Sequence, residues 1–105
     1  MTRDWSEHPE AREEFLDAHD RYLDAGGRIA DEFADAAEHA AELIIEWPDA
    51  PPPYHGQRGR PIVRARHLGK FPYKLIYMVH EREIFILAYA HESRRPGYWE
   101  HRLDG

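Results

Sequence analysis

A chain of 105 residues accommodates one domain, residues 1–105, expected to bury somewhat more than ~60% of its unfolded surface, and leaves no room for a second core. The absence of cysteine excludes a disulfide framework and a thiolate metal site, and no run approaches the ~18 apolar residues of a membrane span. The formal charge of −6 is unevenly divided: residues 1–50 hold 4 Lys/Arg against 15 Asp/Glu, and residues 51–105 hold 10 against 5, so the halves carry −11 and +5. Such asymmetry suits a protein that turns one face to an anionic partner and keeps the other solvated. The N-terminus lacks the basic-then-apolar order of a signal peptide, so a cytoplasmic protein without membrane attachment is expected.

Residues 2 to 6 are expected to supply a short edge strand. Pro9 suits the first position of a helix, where its missing N–H is not needed, and Glu10, Glu13 and Glu14 suit the positive end of the helix dipole. Ala11, Phe15, Ala18 and Tyr22 recur at i, i+4, i+7 and i+11, which predicts one buried stripe. Gly26-Gly27 is expected to stop this helix through a left-handed cap. Ile29, Phe33, Ala36, Ala37, Ala40, Ile44 and Trp47 form a second helical stripe ending at Pro48, so the two helices are predicted to form an antiparallel hairpin.

Asp49 to Pro61, with Pro51, Pro52, Pro53, Gly56 and Gly59, cannot sustain a helix or a ladder and reads as an extended crossing. Three strands follow: Val63 to Leu68, Phe71 to Tyr77 and Ile84 to His91. In the first, Val63, Ala65 and His67 alternate with Arg64 and Arg66, so the small set is expected to face the helices while both guanidiniums project from the opposite face. The other two are apolar on both faces and read as central strands joined by a polar loop at Glu81-Arg82-Glu83. Tyr73 and Tyr77, four apart, share one strand face, and at least one is expected in the core with its hydroxyl bonded.

Behind the last strand comes a basic, aromatic tail, Arg94-Arg95-Pro96-Gly97-Tyr98-Trp99, with Arg102 close behind. Cations on neighbouring strands beside a Tyr and a His form a surface suited to a polyanion. Trp99 and Tyr98 either stack on bases or, as the commoner role for such residues, fold the tail over the sheet and fill the edge of the core. None of the eight histidines forms a His-x-His or His-x-x-x-His pair, so neither a metal site nor another cofactor is expected.

Arg-x-x-x-Leu-x-x-Phe-Pro-Tyr-x-x-x-Tyr (Arg64 to Tyr77) and Ile-x-Ile-Leu-Ala-x-x-His-x-x-Arg-x-Pro-x-Tyr-Trp (Ile84 to Trp99), behind a helical hairpin introduced by His8-Pro9-Glu10-Ala11, resemble the RelE/ParE superfamily of bacterial toxins, the plasmid stabilisation proteins of type II toxin–antitoxin systems. The resemblance spans nearly the whole chain. It implies an α+β fold, an N-terminal helical hairpin packed on a small antiparallel β-sheet, and a growth-inhibiting toxin neutralised by a small cognate antitoxin in a hetero-oligomer. RelE-like members cut messenger RNA on the ribosome; ParE-like members poison DNA gyrase and need no catalytic residue; a degenerate relative would only bind a partner protein.

Under the nuclease reading, the resemblance implies Lys74, Arg94 and Tyr98 as catalytic residues and Arg64 and Arg66 as a basic pair on the first strand; His91, at the end of the last strand, joins the catalytic candidates, and Lys70 and Arg95 join Arg64 and Arg66 as candidate RNA-binding cations. Cleavage by the RNA's own 2′-hydroxyl needs a base, positive charge around phosphorus and an acid for the leaving 5′-oxygen. Arginine, whose pKa exceeds ~12, cannot be the base, so a tyrosine, a histidine or a lysine of depressed pKa must serve; His91 is the first candidate, with Tyr98 and His101 behind it. His91 has a bland alternative as a strand-end cap, and Lys74 as a solvent-facing strand residue. An antitoxin is expected to cover the basic face with carboxylates, an electrostatic share that high salt would weaken.

Overall fold

The computed structural model of the chain describes residues 4–54 and 61–104. Its order is β1 (Asp4–Glu7), α1 (Pro9–Ala25), α2 (Gly27–Glu46), β2 (Val63–His67), β3 (Tyr73–His80), β4 (Glu83–His91) and a closing 3-10 helix (Glu100–Asp104). Residues 55–60 of the proline-rich crossing, and residues 2 and 3 of the proposed first strand, lie outside the described residues.

The α+β class holds. A helical hairpin packs on a four-stranded sheet of order β1-β4-β3-β2, with β3 and β4 in the centre. The sheet is mixed rather than purely antiparallel, because β1 runs parallel to β4 over Asp4–Glu7. The whole helical hairpin separates β1 from its partner, so no tight turn dictates an antiparallel direction.

His8 caps α1, its Nδ1 accepting the Glu10 N–H at 3.1 Å, and Pro9 follows as the first helical residue. The break between helices is a single residue. Gly26 sits at φ 156, ψ 144, a region open essentially to glycine alone, rather than in the expected left-handed cap. α2 then begins at Gly27 and buries Ala30, Phe33, Ala37, Ala40 and Ile44. Trp47 departs from the stripe: the helix has ended at Glu46, and the indole is 58% exposed.

The β3–β4 loop is Glu81 and Arg82 alone, since His80 already pairs with Glu83. Glu81 has φ 56, the only positive value at a non-glycine among the described residues. Positive φ at the first central residue matches a type II′ turn, where glycine is preferred because a Cβ crowds the following carbonyl. Glu81→Gly is expected to raise stability by about 1 kcal/mol. A urea unfolding midpoint that stays put or falls would contradict this.

Both sheet faces are covered. On one, Phe33 and Ile44 of the hairpin meet Leu75, Tyr77, Ile84 and Ile86. On the other, Val63, Ile76, Leu87 and Ala88 pack with Trp99, which is 1% exposed and meets the Tyr54 ring edge-on at 5.3 Å. A β-bulge serves this second layer: Tyr77 pairs with Ile86 and Ile76 with Ala88, so the extra residue Leu87 and its neighbour Ala88 both join that core.

The second layer reverses the expectation for β2. Residues directly opposed across an antiparallel pair share a face, and Arg64 and Arg66 oppose Tyr77 and Leu75, both in the helix-side core. The guanidinium stems therefore lie on the helix side, while Val63 and Ala65 pack away from the helices. The far face is not solvent but a second hydrophobic layer made by the tail, and it claims the apolar half of the alternation.

Candidate functional site

The C-terminal ends of β2 and β4 meet the start of β3 at one end of the sheet, where His67 pairs with Lys74, Lys74 with Ala90, and Tyr73 with His91. The tail stays at this end for one turn, the Glu92 N–H bonding Pro72 O at 2.9 Å and the Arg94 N–H bonding His91 O at 3.0 Å. Gly97 then reverses the chain at φ 79, where a Cβ would approach the Glu100 carboxylate to 2.5 Å. That reversal carries Tyr98 and Trp99 back over the sheet.

Cations divide by position. Arg12 pairs with Glu7 at 2.6 Å, Lys70 with Glu32 at 2.8 Å, Arg64 with Asp49 at 3.8 Å and Arg102 with Glu14 at 2.8 Å. Among the described residues, Arg21, Arg66, Lys74, Arg94 and Arg95 have no carboxylate within ion-pair distance, and all five lie around the strand ends just described. Lys74, Arg94 and Arg95 line one small hollow, while Lys74 and Arg66 line the larger recess beside the proline segment. The Nε of Arg66 is buried without a hydrogen-bond partner among the described residues. Cations left unneutralised at one place hold counterions that a polyanion displaces on binding.

Two of the expected RNA-binding cations are committed elsewhere. Arg64 donates to the carbonyls of Asp49 and Pro51 and so ties down the chain leaving α2. Tyr77 assists, its hydroxyl donating to Pro48 O at 2.6 Å. Lys70 sits in the β2–β3 connection at the right end but is held by Glu32 of α2.

On the helix side, a groove of about 630 Å³ opens between α1 and the strand ends, lined by Arg21, Tyr22, Tyr73, His91, Arg94 and Tyr98 among others. Arg94 borders both this groove and the Lys74 hollow, and its guanidinium lies 3.9 Å from the centre of the Tyr98 ring. Arg21 reaches in from α1 and donates to Tyr73 Oη at 2.7 Å. That hydrogen bond, with the nearby negative charge of Asp17 a smaller contribution, raises the guanidinium's affinity for its proton.

The candidate acid–base groups are already bonded. Nδ1 of His91 accepts the Ser93 N–H at 2.9 Å, so the neutral ring carries its proton on Nε2 and offers a donor, not an acceptor. The Tyr98 hydroxyl donates to Glu14 Oε2 at 2.6 Å. Burial first, then the bonded carboxylate, pushes its pKa well above the ordinary phenol value. His101 contacts Tyr98 O at 3.1 Å and Glu10 at 2.9 Å and belongs to the tail's anchorage.

Beneath the groove lies a hub that the sequence reading did not find. Glu14, read as a helix-dipole residue, accepts from the Tyr89 N–H at 3.0 Å, the Tyr98 hydroxyl, and both Arg102 Nη atoms at 2.8 and 3.1 Å. Arg102 is 5% exposed and also donates to Leu87 O at 2.8 Å. β1 stops at Glu7, opposite Ile86, so the β4 backbone beyond it lacks a strand neighbour on that edge. Glu14 and Arg102 supply its partners there. Glu14, Asp17 and Arg21 stand at i, i+3 and i+7, and this polar stripe beside the apolar one was the available signal for both hub and groove.

Among the described residues, no three His, Asp or Glu side chains are grouped as a metal ion would require, and no helix is long and apolar enough to cross a membrane. No protein-family model matches the chain, and no curated protein matches it.

Proposed function

We propose that this chain is a growth-inhibiting toxin of the RelE/ParE kind, the toxin half of a type II toxin–antitoxin module, working through the cation-rich end of its sheet. The observation that carries this reading is the division of charge among the described residues: five cations without carboxylate partners gather where β2, β3, β4 and the tail meet, while Arg12, Arg28, Arg64, Lys70 and Arg102 are paired with carboxylates of the chain. Messenger RNA on the ribosome is the substrate that this end suits, with Lys74, Arg94, Arg95 and Arg66 around its phosphates. Cleavage requires Tyr98 or His91 to exchange its present partner for the substrate. The antitoxin would place carboxylates over the same cations.

The commitment of both His91 and Tyr98 favours a second reading, a gyrase poison that binds without acid–base chemistry. Expression from an inducible promoter is expected to arrest growth. Lys74→Ala combined with Arg94→Ala is expected to relieve arrest, because each phosphate contact by a charged group is worth about 1.5–3 kcal/mol. Purified protein incubated with programmed ribosomes, and separately with gyrase and DNA, distinguishes the targets: cut message supports the first reading, trapped gyrase–DNA complexes the second. A folded product that leaves growth, message and gyrase untouched would refute both.

A further inference from the structure

The groove on the helix side holds a cluster of groups for which the strand cations give no account. Arg21 donates to Tyr73 Oη at 2.7 Å and has no carboxylate within ion-pair distance among the described residues. Tyr73, with Arg21 on its lone pair, keeps its own O–H proton as a donor. His91, paired with Tyr73 across the ladder and edge-on to its ring at 5.0 Å, has Nδ1 occupied by the Ser93 N–H and so offers Nε2–H. Arg94 closes the rim, held against the Tyr98 ring and, among the described residues, without a carboxylate within ion-pair distance. The polar atoms that these four side chains have left to offer are donors.

Two carboxylates also border the groove, and they decide whether an anion is tolerated. Glu14 is spent: its two oxygens accept from Arg102, the Tyr98 hydroxyl and the Tyr89 N–H. That leaves Asp17 on the exposed rim against two guanidiniums. Apart from Asp17, the groups that Arg21, Tyr73, His91 and Arg94 leave free are donors, two of them permanently charged guanidiniums; a group with several acceptor oxygens and negative charge matches them, and arginine's planar fork suits phosphate in particular.

We infer that Arg21, Tyr73, His91 and Arg94 form a phosphoryl-binding subsite, entered from the strand-end cations across Arg94. This rests on the reading of that end as a nucleic-acid surface and adds a contact from α1, with Arg21 and Tyr73 as binding residues. Arg94, bordering both hollows, places one phosphate of a single strand on the Lys74 side and a further one, internal or terminal, at Arg21.

The test uses the full chain and a fluorescently labelled single-stranded oligoribonucleotide, supplied with either a 5′-phosphate or a 5′-hydroxyl, with binding read by anisotropy. Arg21→Gln and Tyr73→Phe are compared with Lys74→Ala at the other side of the site, and with Arg28→Gln, which removes a charge from an exposed residue of α2. Arg21 is exposed and its replacement leaves the core intact, and circular dichroism confirms folding of each variant. Arg21→Gln is expected to weaken binding about tenfold and Tyr73→Phe severalfold, with Arg28→Gln within about twofold of the parent. Equal losses for both oligonucleotides support an internal phosphodiester as the occupant; losses confined to the 5′-phosphorylated strand support a terminal phosphate. If Arg21→Gln and Tyr73→Phe bind like the parent while Lys74→Ala is weakened, the subsite is refuted and the nucleic-acid reading stands. If the parent chain binds neither oligonucleotide, both fall.

Discussion

Glu14→Ala is expected to lower the unfolding free energy by about 3–5 kcal/mol, the cost of stranding a buried charge. Arg102 would remain 5% exposed with both Nη bonds to that carboxylate gone. Its Nε lies 3.2 Å from a Glu10 oxygen but out of line for a hydrogen bond, and Glu10 is 47% exposed, so compensation from that side is weak. The Tyr98 hydroxyl and the Tyr89 N–H would lose their acceptor as well. Since a domain of this size is stable by about 5–15 kcal/mol, the variant should melt more than about 10 °C below the parent. Glu10→Ala, at the exposed end of the same network, should cost far less, because solvent screens its pairs.

Pairing Glu14→Ala with Arg102→Met removes the charge together with its partner, and should recover much of the loss, because an apolar replacement of a buried ion pair is often close to neutral. Denaturant titrations of the four proteins would settle the point. A cost for Glu14→Ala no larger than for Glu10→Ala would show that the hub does not anchor the tail.

Affinity for single-stranded RNA is expected to fall about a hundredfold between about 50 and about 200 mM salt. The five cations that lack carboxylate partners among the described residues, each displacing counterions from one phosphate, give a slope of about −3.5 in log affinity against log salt. Lys74→Ala and Arg94→Ala should each reduce the slope by about 0.7, whereas Arg12→Ala should leave it unchanged, since that guanidinium is already neutralised by Glu7 at 2.6 Å. Anisotropy titrations at several salt concentrations provide the measurement. A flat salt dependence, or one insensitive to Lys74 and Arg94, would remove the electrostatic basis of the proposed function.

The local rules worked where a residue's conformation depends on its near neighbours. Pro9 opens α1, glycine breaks the hairpin at Gly26, and Ala11 and Ala18 lie buried on the stripe that their spacing predicts. Tyr73 and Tyr77 share a face and both hydroxyls are bonded. The same rules failed for Arg64 and Arg66, because alternation tells which residues share a face but not which layer that face meets. A single covered face would have turned the guanidiniums outward, and Trp99 with Tyr54 made the second face a core instead.

From the chain alone followed the helical hairpin, the central place of the two apolar strands, the separation of acidic and basic halves, and the basic tail, all consequences of spacing and composition within short windows. Only the tertiary structure decided which cations are spent on internal carboxylates and which remain free, since an ion pair such as Arg102 with Glu14 joins residues 88 positions apart. It likewise brought Arg21 from α1 to Tyr73 across 52 positions. Periodicity fixes the direction of a side chain about its own element, while charge neutralisation and the shape of a groove depend on which elements come to lie side by side.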